Sequence, residues 1–251
     1  MSCVVVLGPH RSGTSLVASI LNSIGVNMGD RFRLADEFNP TGYCEDLDFK
    51  ELNQAMLKYC GCTWHEPPSQ EQLAGACVHF EKDMHRLLFR KCTQQEHIRR
   101  EYMWGWKDPR QCLVMGCYDY WLYQMERDVK YVVVERNVDA IVSSLMHREQ
   151  VKARRTERPT MYWKLLTNYY YARIESLVIG SFSSPLAVNY DLLVCDRELA
   201  WAIVDGICRF VGVFPSDELV AGAVKMIMFK GEQDDGEEGQ PPSRRWAGTP
   251  V

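Results

Sequence analysis

The sequence predicts an α/β fold in which a parallel β-sheet is flanked by helices, and three observations carry that expectation. Short β-branched runs recur without polar alternation, as in strands covered on both faces. Apolar residues at helical spacing follow several of these runs, the alternation that builds parallel sheets. Each run also ends in a glycine-containing or polar segment, and open parallel sheets bind ligands at the carboxyl ends of their strands.

Cys3-Val4-Val5-Val6-Leu7 supplies the first strand. After a turn over 8–13, Leu16, Val17, Ile20, Leu21 and Ile24 recur at helical spacing, and Gly25 marks the stop. Between 46 and 102 the pattern is mixed helical and polar with no clear strand, which reads as helical cover over the sheet edge or the site. Met103 to Trp106 gives a further strand ending at Lys107-Asp108-Pro109-Arg110. Tyr131-Val132-Val133-Val134 gives another, followed by Glu135, Arg136 and a helical pattern through Ala140, Ile141, Ser144 and Leu145. Leu186 to Val188 forms the last strand, ending at Asn189-Tyr190-Asp191. A helix through Leu199, Ile203, Ile207, Phe210 and Val211 follows, closed by Gly212. The expected organisation is one domain over 1–230 and an acidic, Gly- and Pro-rich tail over 231–251 that lacks fixed structure unless it folds over a ligand. The aromatic clusters (Trp104 with Trp106; Tyr118, Tyr120, Trp121 and Tyr123; Tyr169 to Tyr171) read as core packing. The basic run Lys152, Arg154, Arg155 and Arg158 reads as a solvated face.

A chain of 251 residues can bury one sizeable α/β core but is short for two. A net charge of −4 argues against a nucleic-acid binder, which needs a basic stripe. No apolar run of about 18 residues is present, so no membrane span is expected. The N-terminal apolar stretch lacks a basic leader and reads as a strand, not a signal peptide. A cytoplasmic location is therefore expected. The 10 cysteines are scattered without metal-ligand spacing, and reduced, mostly buried thiols are expected.

Gly8-Pro9-His10-Arg11-Ser12-Gly13-Thr14-Ser15 lies between the first strand and the first helix. That placement suits a phosphate: successive N–H groups and a helix N-terminus face the anion, and glycines admit a close approach. The outer glycines match the ATP-binding loop pattern, but Thr14 stands where that pattern has lysine. An ordinary ATPase or GTPase is disfavoured, and Arg11 is the nearest cation.

Gly-Pro-His-Arg-Ser-Gly-Thr-Ser resembles the phosphosulfate loop of sulfotransferases that use 3′-phosphoadenosine 5′-phosphosulfate (PAPS). Arg136-Asn137 through Ser144-Leu145 resembles the same family's 3′-phosphate segment, with Val138 replacing a frequent proline and Ser143 as the fallback donor. Lys107-Asp108-Pro109-Arg110 is similar to a segment of many bacterial-type members; Pro109 occupies the place of the catalytic His of other members. Asn39-Pro40-Thr41-Gly42-Tyr43-Cys44-Glu45 looks like the family's Asn-Pro-x-Gly-Tyr-x-Glu segment. Asn189-Tyr190-Asp191 resembles the segment whose tyrosine packs near adenine. Arg244, Arg245 and Trp246 are candidates for the family's C-terminal Arg-Gly segment.

The resemblance implies a P-loop NTPase-like sulfotransferase fold and transfer of a sulfuryl group to a hydroxyl or amine. The acceptor class is a small molecule or a glycan, with PAPS as donor, 3′-phosphoadenosine 5′-phosphate (PAP) as product and no metal required. It assigns His10, Arg11, Ser12, Gly13, Thr14, Ser15, Arg136, Ser144 and Tyr190 to the nucleotide. It assigns Glu45, Lys107, Arg11 and Asp108 to catalysis, with Glu45 as base and Asp108 and His10 as runners-up. Two other readings stay open at this stage: a nucleotide or small-molecule kinase on the same scaffold, and a catalytically silent nucleotide-binding module.

Overall fold

The computed structural model describes residues 2–36, 39, 42–98, 103–125, 128–153, 158–179 and 184–234. Strand β1 (Ser2–Leu7) leads into helix α1 (Thr14–Ser23). Helices α2 (Leu47–Tyr59), α3 (Gln70–His79) and α4 (Glu81–Ile98) follow, then β2 (Trp104–Lys107) and α5 (Gln111–Gln124). Strand β3 (Asp128–Glu135) leads into α6 (Val138–Ala153) and α7 (Thr160–Ile179). Strand β4 (Leu186–Asn189) is followed by α8 (Tyr190–Cys195), α9 (Arg197–Val211) and α10 (Asp217–Asp234).

The strands form one parallel sheet in the order β2-β1-β3-β4. The chain leaves β1 for one neighbour and then crosses back to β3 on the other side. The carboxyl end of β1 is therefore a switch point, where crevices open in sheets of this kind. Strand alternation sends Cys3, Val5, Leu7, Trp106 and Val133 to one face and Val4, Val6, Val132, Val134 and Val188 to the other. Helices α2 to α7 cover the first face; α1, α8, α9 and α10 cover the second. With both faces covered, the strands tolerate continuous apolar runs.

The expected strands and the helices after the first and last of them are present, with small shifts at the ends. One shift matters: β2 includes Lys107, which places that lysine on a buried strand end. The span 46–102 holds three helices among the described residues, as expected of a helical cover. Two of them start on local caps: the Asp46 side chain accepts from Asp48 N, and Ser69 and Gln72 form a capping box. The packing reading holds for Trp104, Trp106, Tyr118 and Tyr170, all buried, and Phe49 stacks on Trp106 at 4.4 Å. It fails for Tyr120 and Tyr123, which are exposed on α5, and for Tyr169, which is exposed on α7.

Other expectations are corrected. Cys77 and Cys117 are joined in a disulfide, because α3 packs on α5 and brings their Cα atoms to 5.2 Å, a proximity no spacing pattern signals. Cys3, Cys92, Cys112 and Cys208 are buried free thiols, as expected. Helix α10 continues past Gly231 to Asp234. Arg244, Arg245 and Trp246 lie outside the described residues, as do Arg154, Arg155 and the side chain of Lys152. Arg158 is not simply solvated: it pairs with Glu66 at 3.1 Å and lies over the Tyr162 ring at 5.2 Å. No helix among the described residues is long and apolar enough to cross a membrane.

Gly105 tests how tightly β2 seats against β1. A Cβ built there would stand 2.2 Å from the Val4 carbonyl oxygen, a backbone atom that cannot swing aside. Gly105→Ala is expected to lower unfolding free energy by roughly 1–3 kcal/mol, the range for overpacking a filled core. A urea melt showing wild-type stability contradicts that fit.

Candidate functional site

The loop from Gly8 to Gly13 turns sharply between β1 and α1. Ser12 donates to the Pro9 carbonyl through both its amide (3.2 Å) and its Oγ (2.8 Å), and the Ser12 side chain is fully buried. Ser12 therefore builds the turn from within. Arg11 has φ 71° and Gly13 φ 95°, so the loop passes through the left-handed region twice. At Gly13 a Cβ would lie 2.0 Å from Tyr190 Cδ2; only glycine lets the loop rest on that ring. Helix α1 begins at Thr14 with no side-chain cap and no acid in its first turn. Its N–H groups and positive dipole end are thus left for an anion. Thr14 and Ser15 line the cleft in front of it.

The end of β3 meets this loop. Arg11 Nε donates to Ser144 Oγ on α6 at 2.8 Å, and Arg136 Nη1 donates to the Arg11 carbonyl at 3.2 Å. The Arg136 guanidinium sits 4.4 Å above the centre of the Tyr190 ring, with Asp191 beside it at 3.8 Å. Arg11, Arg136 and Ser144 therefore share one corner, with buried Tyr190 as its floor. Ser143, the alternative hydroxyl, is exposed. Arg148 lines the same cleft from α6. Its spacing of one helical turn from Ser144 is a signal that sequence reading could have used.

On the other side of the loop, Lys107 is buried at the end of β2. Its Nζ donates to Ser15 Oγ at 3.0 Å and to Glu45 Oε1 at 3.2 Å. Glu45 Oε2 lies 3.6 Å from Arg33 and takes no hydrogen bond among the described residues. Burial disfavours the Glu45 carboxylate, but Lys107, Arg110 and Arg33 outweigh it and hold its pKa below the usual value. Asp108 does not line the cleft. It is fully buried behind it, paired with Arg110 and hydrogen-bonded by Asn53 Nδ2 at 3.0 Å. Its place suits orientation of Arg110, which does line the cleft together with Pro109.

His10 lies against Trp64, ring centres 4.3 Å apart, and Tyr170 stands edge-on at 6.1 Å. Its Nε2 is shut off from solvent and takes no hydrogen bond among the described residues. Burial pushes the imidazole pKa well below its usual value, helped by Arg110, Arg148, Lys107 and Arg33, so His10 is neutral. Sequence reading missed Arg33, Tyr43 and Trp64 as cleft residues. Arg33 and Trp64 sit in irregular segments, where no periodicity says which way a side chain faces. Tyr43 lies under the Arg33 guanidinium at 3.7 Å and bonds to Asp36. Pro40 and Thr41 of the same segment lie outside the described residues.

No protein-family model matches the chain, and no curated protein matches it in sequence. Solved structures do. A sulfotransferase domain from the curacin biosynthetic pathway superposes with a TM-score of 0.51 at 13% identity, covering 87% of this chain and 76% of that one. Sulfotransferase STF1 from Mycobacterium tuberculosis gives 0.50 at 14% identity, covering 94% of this chain and 76% of its own. The chain thus has the α/β fold of these sulfotransferases, as the sequence predicts.

The Lys107–Glu45 pair gives a pH test. Glu45 has its folded pKa below the ordinary carboxylate value, so its contribution to stability is present above that ordinary value and is lost as pH falls through the folded pKa. Glu45→Gln should destabilise the protein at neutral pH, with the gap to wild type closing on acidification. Lys107→Ala, which strands a buried carboxylate, should cost about 3–5 kcal/mol at neutral pH. Thermal melts of the three proteins across pH check both; a gap for Glu45→Gln that widens in acid refutes the pairing.

Proposed function

We propose that this chain is a sulfotransferase that moves a sulfuryl group from PAPS to a hydroxyl or amine of a small-molecule or glycan acceptor. One observation carries the reading: Arg11, Arg136 and Ser144 meet at one corner beside the open N-terminus of α1, with Lys107 on the far side of the same loop. PAPS is anionic at both ends, and this arrangement offers it two separate anion sites. The fold shared with sulfotransferases supports the choice of donor over other nucleotides; Thr14, in place of a P-loop lysine, weighs against ATP.

In this reading the loop amides of Gly13, Thr14 and Ser15 hold the 5′-phosphosulfate, and Arg136 and Ser144 hold the 3′-phosphate. Arg136 serves as a fork and Ser144 as a neutral donor once Arg11 turns toward the ligand. Lys107, already reaching Ser15, neutralises charge on the departing phosphate. Glu45 aims Lys107 and keeps it in place. Its own proton affinity is low because the surrounding cations stabilise the carboxylate. Tyr190 supports the loop and Arg136 from below, with the adenine as its neighbour. Catalysis by positioned cations and amides requires no metal. The acceptor enters past Trp64 and Tyr43, which line the same cleft.

Saturable binding of PAP by the purified protein is the first expected outcome, and its absence removes the donor assignment. Arg136→Ala should weaken PAP by roughly 10- to 100-fold, the loss for a charged hydrogen bond to phosphate. Binding of adenosine 5′-phosphate, which lacks the 3′ group, should change little. Equal losses for the two nucleotides, measured by calorimetric titration, rule out the 3′ role of Arg136.

A further inference from the structure

Transfer to a hydroxyl needs a group that accepts a proton next to the reacting sulfur. The cleft supplies two groups with lone pairs for this, Glu45 and His10. Glu45 has Oε1 on Lys107 and Oε2 3.6 Å from Arg33, so both oxygens face cations that the carboxylate charge holds in place. Removing that negative charge by protonation would leave buried Lys107 and half-buried Arg33 without the carboxylate that both face. His10 has no such commitment. It belongs to the phosphate loop itself, lines the cleft, and packs its ring against Trp64 at a tilt of 48°, centres 4.3 Å apart. Its Nε2 is buried without a partner, and a buried polar atom in a native protein is almost always hydrogen-bonded. No described residue supplies that partner, and the cleft that His10 lines is the place from which one can come.

The geometry points to His10 as the catalytic base, accepting the acceptor's proton at Nε2; this rests on the sulfuryl-transfer reading above. The acceptor O–H bond breaks and its proton passes to Nε2. The oxygen's electron pair forms the new bond to sulfur, and the bond from sulfur to the 5′-phosphate oxygen breaks with its electrons leaving on PAP. The imidazolium then returns its proton to water. The groups facing His10 are Arg33, Lys107, Arg110, Arg148 and the Tyr170 phenol, so four of the chain's own cations oppose a charged imidazole. The donor brings its negative charges among those cations. The field at His10 then favours the protonated ring, and the base gains strength when the substrate is bound.

Water is an acceptor that is always available, so the test needs no knowledge of the natural one. Release of labelled sulfate from radiolabelled PAPS would be followed across pH for wild type, His10→Gln, His10→Asn and Glu45→Gln, with PAP affinity measured on each. Wild type is expected to release sulfate above the spontaneous rate. Both His10 variants should keep PAP affinity and release sulfate about 100-fold more slowly, the usual contribution of a positioned base. They should also lose the fall in rate on the acid side, while Glu45→Gln keeps it. The assignment is overturned if the His10 variants match wild type, if they lose PAP binding, if only Glu45→Gln abolishes the acid-side fall, or if wild type binds PAP yet releases no sulfate. Failure of wild type to bind PAP at all sinks the donor reading, and the His10 assignment with it.

Discussion

Six cations, Arg11, Arg33, Lys107, Arg110, Arg136 and Arg148, converge on one cleft, and the repulsion among them is the constraint around which the site is built. Two like charges a few ångströms apart in a partly desolvated cleft cost several kcal/mol unless something opposes them. Glu45 and Asp108 oppose three of these cations, Lys107, Arg33 and Arg110, from within the fold, and Asp191 sits beside Arg136. The balance is still positive in front of α1, whose helix dipole adds to it. The chain's own charges thus leave the cleft net positive, which suits a polyanion.

Holding that charge requires rigid support behind it. Asp46, next to Glu45, is buried and caps α2. It also takes Lys91 Nζ at 2.7 Å, and the same lysine reaches Asp30 at 3.2 Å and Asp48 at 3.1 Å. This knot ties the segment after α1 to α2 and α4. The Glu45 carbonyl is fixed as well, accepting from Arg33 N at 3.0 Å. A buried ion cluster of this kind adds little net stability, but breaking it is costly, so it suits the task of fixing position. On the other flank, Asn53 of α2 donates to both Asp108 and Gln111 Oε1 and accepts from Tyr118. The helical cover thereby sets the seat of Arg110.

The sheet was legible because a parallel strand covered on both faces must be apolar along its whole length, and Val4-Val5-Val6 and Val132-Val133-Val134 say so directly. Helices α1 and α9 were legible because each buries one stripe and ends in glycine. Helix α7 was not: Trp163, Leu166 and Tyr170 face the core while Met161 and Leu165 point to solvent, which blurs the period. The loop and the Arg136–Ser144 pair could be placed from the sequence because strand ends and helix starts fix where they lie. What the sequence does not contain is which distant residue meets which. The contact of Arg11 with Ser144, the seat of His10 on Trp64, the Cys77–Cys117 bond and the pairing of Glu45 with Lys107 all join elements that only the tertiary fold brings together.

The division of labour between sheet and cover follows from the same physics. Arg11, Lys107 and Arg136 come from strand ends and the first turns after them, where hydrogen-bonded β1, β2 and β3 fix the backbone and leave little freedom. The cleft residues Arg33, Tyr43 and Trp64 come from irregular connections outside the sheet. Such connections can change sequence without disturbing β1 or α1, since few ladder bonds depend on them. A fold retained at 13% and 14% identity is what this arrangement permits. His10 stands at the boundary: its backbone belongs to the conformationally fixed loop, while its ring packs on Trp64 from the cover. A side chain placed there keeps its distance to the loop fixed while the walls beyond it are free to differ.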